Sequence, residues 1–219
     1  MKPVTVTMTI LAGALSLSAP AAHPQVPSFQ DLPKVMDASM PRDEQISIAL
    51  SAGPQDVVQD ATVYVLGPKG LEIARQGTNG VSCLVDRHFV TPTETTIEPM
   101  CWDPEGSRTT LLVYLYGEDL RSKGASEADI KAAIDAGYKD GRFKAPAKPG
   151  LLYMLSTDNR LGPTSSGGTT HVPPHVMFYA PYMTAKDLGY GSDAPFLVQP
   201  GKPWATMIVF PDPSLKGTF

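Results

Sequence analysis

The chain has 219 residues and a formal net charge of −4, from 18 lysines and arginines against 22 acids. This weak acidity argues against a nucleic-acid surface, and a hydrophobic share of 42% is too high for a disordered chain. Charged residues make up only 18% while proline (22) and glycine (19) are abundant, which points to a loop-rich β or α+β protein.

The amino terminus reads as a secretory leader over residues 1–21. Lys2 gives a basic start, an apolar small-residue stretch runs from Val4 to Leu17, and Ala19-Pro20-Ala21 offers small residues to a signal peptidase. A retained anchor would need ~20 unbroken apolar residues. Thr5, Thr7, Thr9 and Pro20 interrupt a shorter run. The expected product is an exported, soluble protein, periplasmic or secreted, with no membrane span after cleavage. Its residues 22–40 form an extended, proline-rich lead-in, and 41–219 form one α+β domain expected to be monomeric.

Pro41 opens a predicted helix with Asp43 and Glu44 in its first turn and an apolar stripe of Ile46, Ala49 and Leu50; Gly53-Pro54 ends it. Three strand signals follow at 61–66, 71–75 and 81–85, separated by Gly67-Pro68-Lys69-Gly70 and Thr78-Asn79-Gly80. Asn-Gly is a strong hairpin signal, so the expectation is an antiparallel meander. A threonine-rich loop leads to a strand at 97–102. In an oxidising compartment Cys83 and Cys101 have only each other as partners, which predicts a disulfide with Trp102 packed beside it.

Two helices are predicted next. One spans 107–123, with Leu111, Leu112, Leu115 and Leu120 buried; the other spans 126–138, capped by Ser126 with Asp129 three residues on. The last third returns to strands at 151–155, 176–180 and 204–210, with a polar loop at 158–170 and one helical turn at 184–188. The fold class is therefore α+β, a mainly antiparallel sheet with a helix pair on one face and one disulfide.

Chemistry is harder to locate. His171-Val172-Pro173-Pro174-His175 has the spacing at which a helix presents two metal ligands, but the paired prolines exclude that helix. A divalent metal such as zinc would need His88, His171, His175 and a carboxylate such as Glu98 to converge; otherwise no cofactor is expected. Gly162 to Thr169 has the outline of a phosphate loop, yet Gly168 stands where its lysine belongs. Alternation sends Phe178 to one face of its strand and Tyr179 to the other, so Tyr179 and Tyr182 are candidates to line a ligand cleft with His171 and His175. Failing that, their hydroxyls would point into water at the core edge. No catalytic residue is identifiable. The favoured expectation is a non-enzymatic module binding a small molecule or an envelope protein. The alternative is a periplasmic hydrolase or metal-dependent enzyme using the His171/His175 loop.

Overall fold

The computed structural model describes residues 36–87, 96–157, 159–161, 170–189 and 196–210. The residues read as a leader and its cleavage site, most of those expected to form an extended lead-in, His88 and the glycine-rich tract at 162–169 lie outside them. In chain order the elements are α1 (Arg42–Leu50), α2 (Gln55–Val58), β1 (Thr62–Gly67), β2 (Gly70–Arg75), β3 (Ser82–Asp86) and β4 (Glu98–Trp102). Then come α3 (Pro104–Arg108), α4 (Thr110–Ser122), α5 (Glu127–Lys139), β5 (Leu151–Met154), β6 (Arg160–Leu161) and β7 (Thr170–His171). The chain closes with β8 (His175–Tyr179), a 3-10 turn (Ala185–Leu188), β9 (Phe196–Val198) and β10 (Thr206–Val209).

Eight strands form one sheet in the order β2-β1-β3-β4-β5-β8-β10-β9, and β6 pairs with β7 in a separate ribbon. Every contact in the large sheet is antiparallel except that of β1 with β3. That exception corrects the expected meander. Thr78-Asn79-Gly80 is not a hairpin turn but a crossover that carries the chain beneath the start of β1 to its far side. The Thr78 amide donates to Asp60 O (2.9 Å), and Asn79 Nδ2 donates to Val57 O (2.7 Å). Gly77 passes so close that a Cβ there would sit 2.3 Å from both Ala61 C and Thr62 N. Sequence turn signals mark where a chain reverses; they do not say on which side of its predecessor the next strand lands.

The two sheet faces carry separate cores, because successive strand residues point to opposite sides. On one face Val63, Val85, Cys83 and Cys101 pack under Ile48, Ala49 and Val58 of α1 and α2. The disulfide joins directly opposed residues of β3 and β4 and is fully buried there. On the other face Leu84, Met100, Trp102, Leu152, Met177, Tyr179 and Ile208 pack with Leu111 of α4. Trp102 is therefore not beside the bridge as expected: it follows Cys101 directly and the pleat sends it through to the opposite side. The predicted helix pair α4/α5 lies on this second face, and α1 and α2 add a layer on the first.

Several local expectations need adjustment. The helix predicted at 107–123 is two, broken at Thr109 (φ −127°, ψ −85°), and α3 starts with Asp103 as its cap, accepting from the Gly106 amide. Leu112, expected inside, is exposed, whereas Thr110, Val113, Gly117 and Glu118 are buried. In α1 Gln45, Ile48 and Ala49 are buried, and Ile46 and Leu50 of the expected stripe pack partly buried against the same core. Gln45 accepts from the Leu66 amide (2.7 Å) and donates to Leu66 O (3.2 Å), mimicking a neighbouring strand. The Ser126 cap on α5 is as read from sequence, and Thr184 and Asp187 form a capping box at the start of the 3-10 turn. Among the described residues no helix is long and apolar enough to cross a membrane.

The crossover yields the first prediction. Gly77→Ala drives a methyl into backbone and should destabilise by about 3 kcal/mol or more. Gly124→Ala sits in open space at φ +85° and should cost only about 1 kcal/mol. Urea unfolding of both variants measures the gap; equal losses would contradict the close approach.

Candidate functional site

A cavity of about 300 Å³ lies between the second sheet face and the helix pair. Its floor is built by alternation: Trp102 on β4, Leu152 on β5, and Met177 and Tyr179 on β8 all project to the same side. Its roof is built by helical periodicity. Thr110, Val113, Tyr114, Gly117 and Arg121 form one stripe of α4, and Glu127, Ile130, Lys131 and Ile134 form one of α5. Gln199, Trp204 and Thr206 close the far side.

The floor is held by one carboxylate. Asp103 Oδ1 accepts from the Gly106 amide (2.8 Å) and Oδ2 accepts from the Leu151 amide (3.1 Å). The buried Tyr179 hydroxyl lies 3.1 Å from Asp103 Oδ1 and 3.0 Å from Leu151 O, so its single proton is shared between two acceptors. Burial, and then the negative charge of Asp103, hold this phenol above its ordinary range. Tyr179 Oη approaches α3 so closely that a Cβ on Gly106 would stand 1.7 Å from it. The hydroxyl is thus inside the protein, not in water at the core edge.

The roof is held by ions. Glu118, almost fully buried, sits between Arg87 and Arg121: Arg87 bonds its Oε1 and Arg121 Nη1 its Oε2 (2.8 Å). Arg121 turns the rest of its fork to Glu127, with Nε to Oε1 at 2.8 Å and Nη2 to Oε2 at 3.2 Å. Burial opposes the charge on Arg121, but the hydrogen bond from Glu127, the nearby Asp86 and the bond from Glu118 outweigh it and keep the guanidinium protonated. Lys131 Nζ, also on the wall, bonds Asp135 Oδ2 (2.9 Å), whose Oδ1 takes Lys202 Nζ (3.0 Å). Those two lysine bonds lower the Asp135 pKa and tie the 199–205 loop to α5.

Aromatic rings supply much of the remaining wall. Trp102 meets Tyr114 edge to face at 5.0 Å, and burial raises the Tyr114 pKa, so it stays a neutral phenol. Trp204 stacks on Tyr138 at 4.7 Å with Lys202 5.3 Å from its centroid. Among the described residues Trp102 Nε1 is buried with no hydrogen-bond partner, a state that costs about 1–3 kcal/mol for a neutral donor. On the rim Gln199 holds φ +55°, a left-handed conformation that side chains rarely adopt without a reason in the surrounding structure.

Of the four residues expected to line a cleft, Tyr179 is on this wall. Tyr182 is exposed, at φ +64°, outside the lining. His171 lies on the β6–β7 ribbon with its ring Nε2 against Thr157 O. His175 is buried in β8, where Nδ1–H donates to Pro173 O (2.8 Å) and the ring packs 5.7 Å from Phe210. Glu98 is buried on β4 opposite Asp86. Among the described residues no three His, Cys, Asp or Glu side chains gather as a metal ion would require, and His88 lies outside them. Sequence reasoning missed Thr110, Tyr114 and Arg121. Their spacing of four and seven residues was visible, but the leucines between them competed for the same inward face.

His175 gives a pH prediction. Burial, opposed by the Pro173 carbonyl, holds its pKa below the ordinary 6.5. As pH falls through that value the unfolded chain takes up a proton and the folded one resists it, so stability from this site is present above about 6.5 and lost below. The stability advantage of the native protein over His175→Phe should therefore shrink between pH 7.5 and pH 5 in urea unfolding. A pH-independent difference would contradict a neutral buried imidazole. No protein-family model, curated protein or solved structure matches the chain.

Proposed function

We propose that this protein is an exported, non-enzymatic binding module that holds a small, largely apolar molecule in the cavity between α4/α5 and the sheet. The observation that carries the reading is the cavity itself: about 300 Å³, walled by Trp102, Val113, Ile130, Ile134, Leu152, Met177 and Val198. Binding sites for small molecules combine such apolar walls with a few placed polar groups. The described lining holds no histidine or cysteine, and its phenols are kept neutral. It has the parts of a receptacle rather than of a nucleophile and its base. The paired Cys83 and Cys101 favour an oxidising destination, in keeping with the leader.

Both tryptophans of the chain line the cavity, so occupancy should change intrinsic fluorescence. Filling the space with Ile134→Trp should weaken binding of any cavity ligand by about tenfold or more, whereas Leu112→Ala, on the exposed side of α4, should leave it unchanged. The ligands come from mass spectrometry of natively purified protein and from a thermal-shift panel of neutral aromatics. Equal binding by both variants would move the site elsewhere.

A further inference from the structure

The exposed residues of the cavity wall are Glu127 and Lys131 of α5 and Gln199 of the 199–205 loop, so the cavity meets solvent between those two elements. The two lips of this mouth are held differently. The α5 lip is fixed from behind: Glu127 takes Nε and Nη2 of Arg121, and Arg121 in turn bonds the buried Glu118.

The opposite lip is a ribbon rather than a lone loop. Residues 199–205 are knitted to 180–183, with the Ala180 amide donating to Ala205 O (2.8 Å), the Tyr182 amide to Lys202 O (2.8 Å) and the Gly201 amide to Met183 O (2.7 Å). Such a ribbon can swing as one body with these bonds intact. Its side chains meet α5 across the mouth, where Lys202 Nζ bonds Asp135 Oδ1 (3.0 Å) and Trp204 stacks on Tyr138 (4.7 Å). Lys202 and Asp135 are both partly open to water, and an ion pair of that kind is weak and screened by salt.

Backbone strain gathers in the same ribbon. Among the described residues the non-glycine positions with left-handed backbone are Tyr182 (φ +64°) and Gln199 (φ +55°), and both belong to it. Gln199 directly follows β9, at the point where the ribbon leaves the sheet. Such conformations persist only where surrounding contacts hold them, and they cluster at ligand clamps and switch regions.

From these observations we propose that the ribbon of 180–183 and 199–205 is a gate that swings away from α5 to admit the ligand, with the Lys202–Asp135 ion pair as its latch. The proposal rests on the binding reading above and adds how entry is controlled. Opening breaks a partly exposed ion pair and a ring stack, and it releases the left-handed Gln199 at the hinge. Neither Lys202 nor Asp135 is part of the cavity wall, so the latch sets the rates of entry and exit without touching what is bound.

The test follows by stopped flow the binding of prodan, a neutral naphthalene fluorophore that brightens out of water, to the full chain. Lys202→Met keeps most of the side-chain length and removes the latch. It should raise the association and dissociation rates together, each about threefold, and leave Kd unchanged. Salt at about 0.5 M should do the same to the native protein and add little in the variant. Gln199→Gly relieves the hinge in the shut position and should slow both rates. Lys123→Met, which removes an exposed ion pair with Asp119 of α4, should alter neither. Unchanged rates in Lys202→Met overturn the gate, as do faster rates in Gln199→Gly. A rise in dissociation alone in Lys202→Met also overturns it, by making Lys202 a ligand contact; in all three cases the cavity remains a binding site. Failure of prodan to bind the native protein overturns the cavity reading and this inference with it.

Discussion

Glu118 buried between two arginines is the constraint on which the candidate site depends. It fixes α4 over the sheet through charged hydrogen bonds at one end of the helix, where apolar side chains would otherwise pull the layers together. Arg87 follows the last residue of β3, Glu118 and Arg121 lie on α4, and Glu127 opens α5, so one ion cluster sets the spacing of three elements. Such a cluster contributes little net stability when intact, but losing one member strands the others in a low-dielectric setting at about 3–5 kcal/mol. The helix pair is thus held at a fixed height, and the space beneath it stays open.

At the other end the arrangement reverses. Asp103 draws α3, β5 and Tyr179 of β8 together so tightly that only glycine fits at position 106. One boundary of the cavity is closed to atomic contact and the other is propped open by charge. The 199–205 loop is pinned to α5 by Lys202 and Asp135, and its left-handed Gln199 shows that local backbone preference yields to this closure. The cavity belongs to the design of the layers, not to a packing defect within one of them.

The sequence carried the elements better than their arrangement. Alternation in β8 correctly separated Phe178 from Tyr179, and the two cysteines could only find each other. The crossover under β1 was hidden because Asn79-Gly80 satisfies the chemistry of a hairpin and of a wrapped loop equally well. What distinguishes them is Gly77, whose necessity appears only when β1 is in place. The ribbon of β6 and β7 is too short for any periodic signal. The α4 face was misjudged for a physical reason: hydrophobicity ranked Leu112 above Glu118 and Arg121, whereas mutual neutralisation let those two go inside. The histidines drew attention through rarity, while the aromatic and ionic side chains that line the cavity were spread over five elements and the loop that carries Trp204.

The sheet has a further consequence for how the chain is made. Apart from β2, which lies outside β1, its strands are laid down across the molecule nearly in the order in which they are translated, β1, β3, β4, β5, β8 and then the β10–β9 edge. Each new strand docks on a neighbour that has already emerged, so the sheet can assemble by accretion from one side. The last pieces to arrive, carrying Trp204 and the C-terminal edge, complete the mouth of the cavity. A chain arrested before residue 196 would have the floor and the helical roof but would lack Val198, Gln199, Trp204 and Thr206, leaving that side of the cavity without its wall.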